Sequence, residues 1–297
     1  MPPRPQTIGD WLDWARRRYT RHRVALGQVA DNAHDEALYL LLSTLDLSLD
    51  SPRRVLRRKV DPEQAGRIEE IFRRRINDHV PAAYLTREAF LGGHRFYVDE
   101  RVIIPRSYFV ELLPEQVLQW LPAKKPVKRV VDVCTGSACL AVLLAHQFPR
   151  AKVDAIELSP DALAVANFNV AQHDLARRIT LHRSDVFDAV KPVKYDVIIS
   201  NPPYVPTREL RSMPEEFKNE PAMALDGGRD GLDVIRKLLR QARSRLQPHG
   251  IVVLEVGGLR RAMDKAFPEL ELHWMHTEDG EDCVCLVQAA RLLKWKP

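Results

Sequence analysis

An α/β domain with a mostly parallel sheet, preceded by a small helical domain, is the fold this sequence predicts, and three patterns predict it. From Arg129 onward, short continuous apolar runs alternate with segments of helical spacing. Apolar runs without a polar face mark strands buried on both sides, as in a parallel sheet covered by helices. The first ~80 residues instead carry helix caps and apolar residues three and four apart. Between the two lies a stretch of β-favouring residues broken by Gly92 and Gly93.

The elements follow in order. Thr7 caps a first helix with Asp10 three residues on, and Ile8, Trp11, Leu12, Ala15 and Tyr19 share one face. A second helix starts near Asp31 or Asn32 and runs to Leu42. Asp61 and Pro62 open a third, with Ile68, Ile71, Phe72 and Ile76 as its apolar face. Gly92 and Gly93 signal a turn, while Phe96, Val98 and the run 102–104 favour strands, so a β-hairpin is expected there. Strands are expected over 130–133, 153–156, 179–181, 197–200 and 251–256, with helices over 138–148, 160–172 and 232–246. The segment 270–287 supplies two further strands. The expected domains are a helical domain over 1–85, a hairpin linker over 86–110 and an α/β domain over 111–297.

Composition narrows the function. No run of ~18 apolar residues exists, so no membrane span is expected. The first residues have no apolar core, so no signal peptide is expected and the cytoplasm is the expected compartment. Cys134, Cys139, Cys283 and Cys285 lack zinc spacing and have no histidine at ligand spacing beside them. Buried thiols and no metal are therefore expected. The net charge of +5 is a mild excess. The arginine clusters 16–18, 53–54, 57–58 and 73–75 are read either as solvated helix faces or as a footprint on ribosomal RNA.

Four strand ends carry the candidate chemistry. Cys134, Thr135, Gly136, Ser137 and Ala138 form a tight strand-to-helix turn, where Gly136 permits close approach and the helix start offers unpaired N–H groups. A plain crossover turn has the same appearance. Glu157 ends the next strand, about 20 residues on, at the spacing from which an acidic residue accepts from two ribose hydroxyls. Asp185 falls at a third strand end and is suited to an adenine amine, with Val186 or Phe187 beside the ring; a loop aspartate reads the same way. Asn201, Pro202, Pro203 and Tyr204 follow the fourth strand. An amide or exocyclic amine is a poor nucleophile because its lone pair is delocalised. The Asn201 oxygen and the Pro202 carbonyl are two acceptors that grip such an NH2, and Tyr204 offers an aromatic face. The loop 219–232 is either a substrate-side loop or a helix entry.

Asn201-Pro202-Pro203-Tyr204, Glu220-Pro221 and the stretch from Gly227 to Leu232 resemble the HemK-type protein glutamine methyltransferases, and the likeness spans nearly the whole chain. It implies a class I methyltransferase domain, Rossmann-like, on a mostly parallel seven-stranded sheet, behind a helical substrate-recognition domain and a linking hairpin. It implies S-adenosylmethionine held by residues 134–138, Glu157, Val186 and Asn201, and the substrate amide held by residues 201–204. Thr7-Ile8-Gly9-Asp10-Trp11, Ile104-Pro105-Arg106-Ser107 and Met213-Pro214-Glu215-Glu216-Phe217 resemble the PrmB branch, which modifies a glutamine in the third protein of the large ribosomal subunit. The implied partner is that ribosomal protein, free or in an assembling subunit, with ribosomal RNA met by the basic N-terminal domain. The sister branch, acting on the GGQ glutamine of release factors, is the runner-up. An N6-adenine methyltransferase shares the tetrad chemistry but calls for a strong basic groove. A third alternative, an RNA-binding module with a vestigial cofactor site, fits poorly with an intact tetrad. Ala138 stands where the family usually has Gly, and its methyl crowds the loop unless its φ stays negative. Glu157 replaces the common Asp, and Val186 replaces a tryptophan found in release-factor relatives.

Overall fold

The computed structural model describes residues 5–296. The expectation about the opening residues therefore falls largely outside them. The chain divides into two compact units, one running through Ala89 with Val98–Glu100 and Pro214–Asn219, the other made of the remainder.

The first unit is helical. Helix α1 (Ile8–His22) opens with the expected capping box, in which the Asp10 N–H donates to Thr7 Oγ1 at 3.2 Å and the Thr7 N–H donates to Asp10 Oδ2 at 2.9 Å. Helix α2 (Ala33–Thr44) is capped by Asn32, and α3 (Pro62–Asn77) by Asp61 with Pro62 in its first turn. Ile8, Trp11, Ala15, Leu40, Leu41, Ile68 and Phe72 close its core. Arg75 departs from the solvated-face and RNA readings of its cluster, because it is fully buried. Its Nε donates to Glu36 Oε1 at 2.7 Å, and its guanidinium also meets Glu216 and the Ala25 carbonyl. The helical spacing explains this: Ile68, Phe72, Arg75 and Ile76 lie on one stripe, so a charge there faces inward.

Strands β1 (Glu88–Leu91) and β2 (His94–Tyr97) form the expected hairpin, turning at Gly92 and Gly93, whose φ values of 58° and 76° favour glycine. The run 102–104 is not a strand, contrary to its composition. Val102 and Ile104 are buried, but the Ile104 N–H donates to Glu220 Oε1 at 3.3 Å rather than to a ladder. Pro105 then follows with no N–H to give. The apolar, β-branched residues reported burial, not pairing.

The second unit is built on seven strands: β3 (Arg129–Val133), β4 (Lys152–Glu157), β5 (Ile179–Arg183), β6 (Tyr195–Ser200), β7 (Leu246–Glu255), β8 (His273–Trp274) and β9 (Val284–Gln288). Their order is β5-β4-β3-β6-β7-β9-β8, parallel up to β7, with β9 antiparallel to both its neighbours. Helices α4 (Cys139–Gln147), α5 (Pro160–Gln172) and α6 (Asp233–Ala242) connect them. Alternate strand residues feed two cores. Val130, Val153, Val197 and Val253 pack with Leu144 of α4, while Val131, Ile156, Ile198 and Val252 pack with Leu238 of α6. Helix α6 ends four residues before the expected limit, because Leu246 already pairs with Tyr195. A register shift between Tyr195 and Val197 accommodates the stretch around Pro248. Among the described residues no helix is long and apolar enough to cross a membrane.

Candidate active site

Strand order reverses at β3. The chain moves outward through β4 and β5, then returns to place β6 on the other side of β3. At such a switch point the loops leaving the two central strands diverge and open a crevice at their carboxyl ends. Val133 pairs with Ser200, so Cys134 and Asn201 leave neighbouring strand tips. Val133 also pairs with Ile156, which puts Glu157 at the adjacent tip on the other side.

The turn after β3 runs through left-handed backbone at Cys134, Gly136 and Ala138, with φ of 62°, 55° and 66°. Ala138 thus keeps the glycine-like conformation despite its methyl, and it is fully buried. The negative φ on which an uncrowded loop depended is not adopted. A Cβ on Gly136 would meet Ile103 Cγ2 at 3.8 Å, so the apolar run 102–104 flanks this loop. Gly136 donates its N–H to Glu157 Oε2 at 2.9 Å, and Leu158 and Ser159 donate theirs to Oε1 at 2.8 and 2.9 Å. Asp132, under the loop, accepts from Thr135 Oγ1, and burial pushes its carboxyl up to about 7. Asp185 forms an ion pair with Lys237 Nζ at 2.7 Å. Val186 beside it is buried with φ 53°, an unusual conformation for a β-branched residue and the kind of strain that gathers at functional loops.

The tetrad is held from two sides. Val205 donates its N–H to the Leu225 carbonyl at 2.8 Å, and Gly227 donates its own to the Val205 carbonyl at 2.8 Å. A Cβ on Gly227 would lie 2.7 Å from Tyr204 Cα, and one on Gly257 would lie 2.6 Å from Tyr204 Cε2. Those glycines let backbone seat against Tyr204. The loop 219–232 therefore buttresses the tetrad and also leads into α6. Burial and the nearby Glu255 push the Tyr204 phenol up to about 12, so it stays neutral.

Two acidic neighbours of the tetrad lay outside the sequence-based selection of site residues. Glu220 is buried and takes a bidentate pair from Arg106, with both N–O distances 2.6 Å. Glu255 ends β7, is 5% exposed, and accepts from Ser107 Oγ, from the Tyr108 N–H at 3.1 Å and from Asn201 Nδ2 at 3.0 Å. Its signal was present: a charge at the tip of an otherwise apolar run is rarely buried without a task. His94, His146 and His173 also meet, each offering one ring nitrogen within 4.8 Å of the others. His94 and His146 stack at 4.4 Å with planes 13° apart. A metal lies in the plane of each ligating imidazole, and near-parallel stacked rings share no such point, so this arrangement is not a ligand set.

The sheet order, with a glycine turn, an acidic strand tip and the tetrad at neighbouring strand ends of its switch point, defines a class I methyltransferase domain. A family model described as a methyltransferase small domain matches residues 114–228. The chain is 44% identical over 287 residues to the ribosomal protein uL3 glutamine methyltransferase of Bordetella pertussis, covering 97% of this chain and 96% of that protein. It is 43% identical over 294 residues to the protein of the same name from Burkholderia pseudomallei, with 97% and 96% covered. The chain belongs to the family of ribosomal protein uL3 glutamine methyltransferases. Among solved structures, the hMettl16 catalytic domain in complex with MAT2A 3′UTR hairpin 1 is similar, with TM-score 0.50, 16% identity and 86% and 91% of the two chains covered. That likeness is one of fold.

Proposed function

We propose that the chain methylates the side-chain amide nitrogen of a glutamine in ribosomal protein uL3, using S-adenosylmethionine, in the cytoplasm where ribosomal proteins are made. The observation that carries this reading is the placement of Asn201 at a strand tip beside the Cys134–Ala138 turn and the Glu157 carboxylate. The donor set suits the cofactor. Glu157 Oε2 carries one N–H from the protein, which leaves it lone pairs for ribose hydroxyls. The carboxylates of Glu157 and Asp185 suit a cationic ligand, and the left-handed backbone at Gly136 keeps side chains out of its path. Cys134 to Ala138, Glu157, Asp185, Val186 and Asn201 would hold the cofactor, which when bound supplies an electrophilic methyl group on a sulfonium.

The protein's own share is positioning. The Asn201 oxygen and the Pro202 carbonyl accept the two N–H bonds of the target amide and turn its lone pair toward attack. Pro203 stiffens the turn, and Tyr204 gives a neutral aromatic face to the planar amide. The helical domain over 1–85 recognises the substrate. The exposed basic clusters around Arg16 and Arg53 have the charge to bind ribosomal RNA if uL3 is modified during subunit assembly. The test is transfer of labelled methyl from S-adenosylmethionine into ribosomal proteins of a strain lacking this enzyme, followed by mass mapping. The label is expected on one uL3 glutamine. Asn201→Ala is expected to keep cofactor affinity and lose ~10²-fold or more in turnover, the scale for one oriented catalytic polar group. An unlabelled uL3, or an Asn201→Ala enzyme at full rate, rejects the reading.

A further inference from the structure

We propose that Glu255 is a positioning residue that fixes which end of the Asn201 amide faces the substrate. The inference rests on the reading above, in which the Asn201 oxygen accepts from the target glutamine.

An asparagine amide has two orientations of nearly equal shape but opposite chemistry. With its oxygen toward the substrate it accepts an N–H. With its nitrogen there it presents a donor to a donor and grips nothing. Something must choose. The β6–β7 register pairs Ser200 with Leu254, so the next residues, Asn201 and Glu255, stand side by side. Asn201 Nδ2 donates to Glu255 Oε1 at 3.0 Å and approaches the Arg106 carbonyl at 3.5 Å. Both partners are acceptors. A carboxylate has no hydrogen to give, so the flipped amide would set Asn201 Oδ1 against a buried negative oxygen.

The carboxylate is itself oriented. Its Oε2 accepts from the Ser107 hydroxyl and from the Tyr108 N–H at 3.1 Å. The Tyr108 N–H is a donor only, so the atom facing it must accept. Glu255 satisfies acceptors' duty at both ends: one oxygen for the 107–108 backbone turn, the other for Asn201.

An isosteric change therefore has a specific outcome. In Glu255→Gln the carboxamide oxygen stays on the Tyr108 N–H, and its NH2 group turns to Asn201. Asn201 then flips to offer Oδ1 inward and shows its NH2 to the substrate. The shape is preserved and the chemistry inverted. Asn201→Asp in that background restores an acceptor, because one aspartate oxygen takes the new NH2 and the other faces the target amide. In the wild-type background the same Asn201→Asp change sets two carboxylates against each other.

The experiment measures kcat, KM for uL3, cofactor affinity and circular dichroism for wild type, the two single variants and the double. Glu255→Gln is expected to lose ~10²-fold in kcat at near-normal cofactor affinity. The double variant is expected to regain ~10-fold or more over either single, the weight of one hydrogen bond to a charged group. A purely structural role for Glu255 predicts no such rescue. A Glu255→Gln enzyme within about threefold of wild-type kcat, or a double no better than the singles, overturns the proposal. If Glu255→Gln alone does not fold, Asn201→Asp against the double decides the matter. A wild-type enzyme that leaves uL3 unlabelled, or full activity in Asn201→Ala, instead strikes at the parent reading.

Discussion

Arg75→Met tests the buried charge cluster of the helical unit. Arg75 and Glu36 are each fully buried, and the guanidinium also holds Glu216 Oε1 at 3.4 Å and the Ala25 carbonyl at 2.6 Å. Its carbon lies 5.6 Å from the Tyr19 ring centroid. Removing the arginine leaves Glu36 as a carboxylate in apolar surroundings with its main partner gone. Breaking one side of a buried pair costs about 3–5 kcal/mol, a large part of the ~5–15 kcal/mol that holds a domain. For a unit of this size each kcal/mol moves Tm by roughly 4–8 °C, so a fall of more than about 12 °C is expected. The assay is hydrogen exchange on the full chain, read at the amides of α2 and α3, beside calorimetry. Arg75→Met with Glu36→Leu removes the orphaned charge as well and should recover much of the loss, because replacing both partners by apolar groups is often neutral. A single variant costing under about 1 kcal/mol, or a double as unstable as the single, refutes the account of a desolvated pair. The consequence reaches the chemistry through the chain itself. Glu216 lies in Pro214–Asn219, which belongs to the helical unit, while the residues before and after it belong to the other. That segment lies between the tetrad and Glu220, so a loosened Glu216 is expected to raise KM for uL3.

Glu157→Ala removes the acceptor for the Gly136, Leu158 and Ser159 amides and is expected to weaken S-adenosylmethionine binding by roughly 1–3 kcal/mol, as read by calorimetry. Equal affinity in the variant would remove Glu157 from the cofactor site. The pH dependence has two faces. Burial pushes Asp132 and Glu255 up to about 7, so between the ordinary carboxylate range and about 7 the native state binds more protons than the unfolded one. Stability should then be fullest at the acid end of that window and fall as pH rises through it, with Asp132→Asn flattening the slope; urea midpoints that climb across the window contradict this. Turnover should run the other way, rising through about 7, because a protonated Glu255 can donate to Asn201 Oδ1 and favour the unproductive amide orientation. Arg106, Tyr204 and Cys283 face Glu255 from the neighbouring segments, and Arg106 opposes the rise.

What the sequence revealed was what is local. The caps at Thr7 and Asp61 act within one turn, and their partners Asp10 and Gln64 stand three residues on. The strands were legible because burial on both faces leaves unbroken apolar runs such as Val130 and Val131. The tetrad was legible because its four residues are consecutive. Misreadings arose where burial and pairing part company: 102–104 is apolar without a ladder, and Arg75 is charged without solvent. The Glu255–Asn201–Ser107 contact was hidden for a different reason. It joins segments 54 and 148 residues apart, and no local pattern encodes such a meeting.

Register encodes it instead. Ser200 pairs with Val133 on one side and with Leu254 on the other, so the next residue, Asn201, emerges between the Cys134–Ala138 turn and Glu255. A slip of one residue in β7 would put Leu254 or Val256 beside Asn201 and turn every β7 side chain to the opposite face. The hydrophobic cores forbid that slip, since Val252 and Val253 pack into different layers. The same apolar alternation that holds the sheet together thus brings the Glu255 carboxylate beside the Asn201 amide. Core packing and amide orientation are therefore one problem here: a core substitution that shifted β7 would disturb turnover before it touched the tetrad itself.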